Sequence, residues 1–254
     1  MKTMKTTSII ILSFLSIFSV MAQPQKKKPH NPSQQSGSNV NNSVTQVQIV
    51  NIPDANFKQS LIDLGIDLNS DGQIQVSEAQ IRTSLKLSSK LILSLSGIEA
   101  FINLTSLDCS DNQLTILDIS KNTALTFLDC FNNKLTTIDV SKNTALTALS
   151  CTGNQLTTID VSKNSALKIL SCSSNKLSTI EISKNTALTF LDCSSNQLTT
   201  IDVSKNTALT KLKCQYNPSL LNICMNTTQL NLTTSTPSNW LKNSTSKWSS
   251  DCVR

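Results

Sequence analysis

The sequence holds a single histidine, His30, and five glycines among 254 residues, and charged residues make up only 15% of it. One histidine, set in a polar stretch that cannot bury a core, leaves no histidine base for nucleophilic catalysis and no imidazole for a zinc site. No phosphate-cradling loop or nucleophile elbow is present. No catalytic constellation is therefore expected, and the chain reads as a non-enzyme, with a hydrolase as the weaker alternative. Scarce glycine also means that some other residue must turn the chain. An excess of basic charge over the body of the chain is missing too. The formal charge is +6, but Lys2, Lys5, Lys26, Lys27 and Lys28 all precede the patterned region, leaving 17 basic against 16 acidic residues. Nucleic-acid binders carry a basic face, so no nucleic-acid partner is expected. No apolar run reaches the roughly 20 residues that a membrane span needs.

The apolar run at residues 8–20 follows Lys2 and Lys5 and precedes Val20-Met21-Ala22. That order reads as a secretory signal peptide over residues 1–22, cleaved after Ala22. Residues 23–46 are polar and rich in Pro, Gln, Asn and Ser, which marks a flexible linker. A secreted or extracellular location follows, with cell-surface association left open.

From there the chain repeats. Cys109, Cys130, Cys151, Cys172, Cys193 and Cys214 are each 21 residues apart. Asn112, Asn133, Asn154, Asn175, Asn196 and Asn217 keep the same step, as do Leu107, Leu128, Leu149, Leu170, Leu191 and Leu212. Alternation puts Leu128 and Cys130 on one side of a short strand and Phe127, Asp129 and Phe131 on the other. In-register strands about 4.8 Å apart would stack these inward residues into one apolar column. The second half of each unit, with Ile138 and Val140 inward, is expected to be extended. Asn suits the corners because it tolerates left-handed backbone and its amide can satisfy turn groups. A second Asn column, Asn122, Asn143, Asn164, Asn185 and Asn206, is expected to serve the opposite corner. The acidic column Asp118, Asp139, Asp160, Glu181 and Asp202 reads as solvated surface.

The unit LTFLDCFNNKL has the form LxxLxCxxNxL and nests a half-copy, LTTIDVSKN. It resembles the leucine-rich repeat, in the short bacterial class common in secreted proteins of the Bacteroidetes. The resemblance covers residues 85–217, beginning at a leading rung with Leu85 and Leu87. It implies a β-rich solenoid with short parallel strands, a small helical N-terminal cap over residues 47–84, and an irregular C-terminal cap over 218–254. The column cysteines are expected to be buried apolar groups, since parallel Cβ directions are poor for bridges. Cys224 and Cys252 break the period in a segment that resembles the closing region of the same proteins. A Cys224–Cys252 disulfide is expected there, worth about 3 kcal/mol by loop entropy.

Residues 67–78, DLNSDGQIQVSE, resemble the EF-hand calcium loop. The resemblance implies side-chain ligands from Asp67, Asn69 and Asp71, the turn at Gly72, the Gln73 carbonyl, Gln75 directly or through water, and Glu78 with two oxygens. Ile74 is the apolar anchor. Only one loop is present where such loops usually pair, so weak, structural calcium in the N-terminal cap is expected.

The outward positions of the Cys strand vary. Phe127, Phe131, Ile169 and Phe190 fall there and are expected to be exposed, which marks a partner face. The function expected is a monomeric binding or adhesion module for a protein or surface glycan. A self-assembling matrix or surface-layer protein is the alternative.

Overall fold

The computed structural model describes residues 47–250. The signal-peptide and linker expectations, and Cys252, lie outside the described residues. The N-terminal cap holds α1 (Ala55–Asp63) and α2 (Val76–Gln80). The coils then carry β1 (Ser84–Lys86), β2 (Ser106–Asp108), β3 (Phe127–Asp129), β4 (Ala148–Ser150), β5 (Ile169–Ser171), β6 (Phe190–Asp192), β7 (Thr200–Asp202) and β8 (Lys211–Lys213). The closing segment supplies β9 (Asn222–Cys224), α3 (Thr227–Ser235), β10 (Trp240–Leu241) and β11 (Lys247–Ser249). The main sheet runs β1-β2-β3-β4-β5-β6-β8-β10, with parallel pairing throughout. A smaller sheet, β11-β9-β7, forms on the half-repeat side. In the earlier coils that side forms no strand beyond a single parallel bridge between Asp160 and Glu181.

Each coil buries the residues that the period assigned to it. Leu128, Cys130, Leu135 and Val140 are fully buried, as are their counterparts Leu149, Cys151, Leu156 and Val161 within a percent or so. Ile138 is half-buried against the same core. Backbone bonds run from coil to coil at each strand: the Cys130 N–H donates to the Ser150 carbonyl at 2.8 Å, and Asn132 N–H to Thr152 at 2.9 Å. Threonine hydroxyls add a parallel ladder, as where Thr147 Oγ1 donates to the Thr126 carbonyl at 3.0 Å.

The asparagines do only one of the two jobs expected of them. The left-handed residues at the first corner are Asp111, Asn132, Gly153, Ser174, Ser195 and Tyr216. Each stands just before the repeating Asn. The Asn itself works through its amide. Asn154 Nδ2 donates to the carbonyls of Cys130 (3.0 Å), Cys151 (3.1 Å) and Thr152 (3.4 Å), while its Oδ1 accepts from Leu135 N–H at 3.0 Å. The same set recurs around Asn133, Asn175 and Asn196. In the second column, Asn143 Nδ2 donates to the carbonyls of Ile119 and Asn122 in the preceding coil. Both columns are side-chain ladders that pair turn carbonyls which would otherwise be buried and unsatisfied.

At the start, Asp54 caps α1 by accepting from Phe57 N–H at 2.9 Å. Its second oxygen accepts from Leu93 and Ser94 N–H of the first coil at 2.8 and 3.0 Å. Phe57 and Leu61 are fully buried, so α1 closes the apolar column.

The C-terminal cap departs from the irregular one expected. An open solenoid end leaves a row of unpaired backbone groups as well as an apolar surface, and the cap answers both. It adds β10 to the main sheet and β9 and β11 to the smaller one. Gln229 of α3 takes the ladder place of the next Asn, its Nε2 donating to Val203 and Asn206 carbonyls at 3.0 and 2.9 Å. Trp240 is buried, with Trp248 set edge-on to it at 6.3 Å.

Candidate binding face and calcium loop

Register places Phe127, Ala148, Ile169 and Phe190 side by side across β3 to β6. Phe131 lies on the same face just beyond β3, its ring beside Gly153 of the next coil. The structure therefore brings together all four residues expected to form a partner face. It corrects their exposure: each is half-buried. Outward side chains on strands about 4.8 Å apart cover one another. Lys211 and Lys213 add to this at Phe190, their Nζ atoms 5.7 and 5.9 Å from the ring centre.

Between the phenylalanines the outward positions other than Ile169 are small: Ala148, Ser150, Ser171, Thr152 and Ser173. Thr152 and Ser173 hydroxyls lie 3.1 Å apart. Small polar positions on this face thus run beside the row Phe127, Ala148, Ile169 and Phe190. Its charge also changes along the stack, from Asp108 and Asp129 to Lys211 and Lys213. The column of sign reversal was present in the sequence and is the signal that marks Lys211 and Lys213 as part of this face. Asp129 sits between Phe127 and Phe131 and is 2% exposed. Burial pushes its carboxyl up to about 6, helped by the neighbouring Asp108, against a lowering bond from Phe131 N–H. Asp192 forms an ion pair with Lys213 at 3.7 Å.

The column cysteines are free and buried, as expected. Burial pushes the Cys151 and Cys214 thiols up to about 12, and the others upward as well. Several donate to the carbonyl of the next coil, Cys130 Sγ to Ser150 at 3.3 Å. A thiol held neutral is neither nucleophile nor metal ligand. Cys224 lies in β9, and its expected partner Cys252 falls outside the described residues.

The acidic column of the half-repeat has a local role. Asp139 Oδ1 accepts from Ser141 N–H at 2.8 Å, and Asp160, Glu181 and Asp202 repeat the bond at the same length. These bonds from the following serine, chiefly its backbone N–H, hold Asp118, Asp139 and Asp160 below the usual carboxylate range. The carboxylates pin corners.

The calcium-like loop is folded by its own carboxylates. Asp67 and Asn69 Oδ1 both accept from Asp71 N–H, at 3.2 and 3.1 Å. Asp67 Oδ2 accepts from Gly72 N–H at 2.9 Å, and Gly72 has the left-handed φ of 75° that the turn requires. Glu78 is buried, its oxygens accepting from Leu68 and Gln75 N–H at 2.7 and 2.9 Å. Gln75 Nε2 donates to Asp71 at 2.8 Å. Gln73 offers its side chain to Lys58 Nζ at 3.0 Å. The donor set is all oxygen, the chemistry a hard cation prefers. Among the described residues, however, no three acidic, thiol or imidazole groups converge as metal ligands. The chain's own residues 48–50 run antiparallel to the loop: Val50 N–H donates to Ile74 and Val76 N–H to Gln48, both at 2.8 Å.

A family profile described as leucine rich repeats in two copies matches residues 102–143. No curated protein matches the chain. Among solved structures, internalin C2 from Listeria monocytogenes is 18% identical, with 81% of this chain and 96% of that chain covered and a TM-score of 0.61. The internalin inlF from the same organism is 20% identical, with 82% and 74% covered and a TM-score of 0.56. The functional domain of InlJ from Listeria monocytogenes, which includes a cysteine ladder, is 28% identical over 71% of this chain, with a TM-score of 0.32. This chain spans 57% of that structure's length. With its parallel rungs and asparagine ladders, the chain has the solenoid fold of these internalins, and its residues 102–143 match the leucine-rich repeat.

Proposed function

We propose that this protein is a secreted or cell-surface binding module that captures a protein or surface glycan on the β3–β6 face. The observation that carries the reading is the side-by-side placement of Phe127, Ile169 and Phe190 with Phe131, beside small polar positions. Solenoids present extended surfaces of this kind to partners, and aromatics are enriched at the centres of interfaces. The patterned N-terminus supports secretion. Calcium bound by Asp67, Asn69, Asp71, the Gln73 carbonyl and Glu78 would brace the N-terminal cap. A Cys224–Cys252 disulfide would pin the closing segment; the pairing of Ser249 beside Cys224 in β11–β9 supports it by bringing the chain within a few residues of Cys252.

The test is capture by the immobilised protein against a variant carrying Phe127→Ser and Phe190→Ser. Loss of capture at unchanged fold supports the face, and equal capture rejects it. Calcium is tested separately by thermal unfolding: a higher Tm with millimolar calcium, reversed by chelator, supports binding, and an unchanged Tm rejects it.

A further inference from the structure

β1 ends the main sheet, and no strand among the described residues pairs with its outer edge. Thr83 accepts from Thr105 and Ser106, and Leu87 N–H donates to Asp108, so these residues direct their backbone groups to β2. By the two-residue alternation of a strand, Ser84 and Lys86 direct theirs the other way, where no backbone partner lies among the described residues. Beside this edge is a cavity of about 210 Å³ lined by Leu64, Ile66, Arg82, Ser84, Leu85 and Lys86. That is below the 300 Å³ or more of typical small-molecule sites and suits one side chain. Its lining joins an apolar group to two cations. Arg82 donates through Nη2 to the Gly65 carbonyl. Its Nε is buried with no acceptor among the described residues. Neither Arg82 nor Lys86 forms an ion pair among them.

We infer that this edge is a second docking site, for an extended peptide bearing an apolar side chain and an adjacent carboxylate. The peptide adds as a strand to β1, taking the free backbone groups of Ser84 and Lys86. Its apolar side chain enters the cavity over Leu64, Ile66 and Leu85. Its carboxylate meets the exposed Lys86 ammonium beside the Arg82 guanidinium. The site is independent of the β3–β6 face: in the sheet order, β1 lies two strands from Phe127 on β3 and five from Phe190 on β6.

The test uses the full chain and two synthetic probes, acetyl-Thr-Val-Thr-Val with a free carboxylate and its C-terminal amide, titrated by calorimetry. Saturable binding of the carboxylate form is expected, with the amide at least tenfold weaker. Ser84→Pro removes an edge N–H and obstructs pairing, and Lys86→Glu reverses a charge at an exposed position. Each is expected to weaken the carboxylate peptide at least tenfold. Should Ser84→Pro lower the Tm, Lys86→Glu decides alone. Absent saturation, equal binding of the two probes, or binding unchanged by Lys86→Glu would overturn the proposal.

Discussion

Asp129 is a carboxylate kept where charge is costly. Its folded value of about 6 lies above the ordinary 3.8. For an acid raised on folding, stability is whole below the unfolded value and is lost as pH rises through the folded one. The loss therefore falls between about pH 4 and 6, and roughly two units correspond to about 3 kcal/mol. Asp129→Asn keeps the acceptor for Phe131 N–H and removes the charge. It should raise stability at pH 7 by about 2 kcal/mol and change little at pH 3, as measured by urea unfolding. The ladder asparagines work in the opposite direction. Asn154→Ala strands the Leu135 N–H and several carbonyls in the core, and should cost about 3 kcal/mol or more. Their amide role was legible in the spacing. The left-handed position was not, because it falls on residues as different as Asp111, Gly153 and Tyr216. Backbone strain there follows from the turn and leaves no constant residue to read.

At the level of elements, the caps hold the least legible features. Phe57 and Leu61, four residues apart, form the buried face of α1. The clasp from Asp54 to Leu93 and Ser94 joins residues about 40 apart in sequence and has no local pattern. Burial works to raise the Asp54 carboxyl, but the N–H bonds from Phe57, Leu93 and Ser94 outweigh it and hold the group low. Its contribution is present above the ordinary value of 3.8 and is lost as pH falls through the lower folded one. Acid should thus loosen the N-terminal cap from the first coil. The same junction contains Gly97 at a φ of 106°, where an added Cβ would meet Ile52 at 2.7 Å and the Asn51 carbonyl at 3.0 Å. Gly97→Ala combines strained backbone with a clash, and should lower stability by about 2 kcal/mol or more. Thermal melts of the variant check this. At the other end, the cap was misread as irregular. Hydrophobic pattern shows what must be covered and says nothing of the strand edge, which β10 and β9 pair.

Over the whole molecule, stacking explains both what the period revealed and what it hid. A step of 21 residues sets which side chains face inward, and the core followed from it directly. Outward positions were identified as a face, but their half-burial depends on how closely coils stack and on lysines one rung away. The polarity of that face, acidic near β2 and β3 and basic at β8, emerges only when the columns are laid side by side. Hydroxyl-radical footprinting of the captured complex tests whether this face holds the partner. Reduced labelling of Phe127, Phe131 and Phe190 is expected in the complex, with Ile116 on the half-repeat side unchanged. Unchanged labelling of the three phenylalanines, with protection elsewhere, would contradict it.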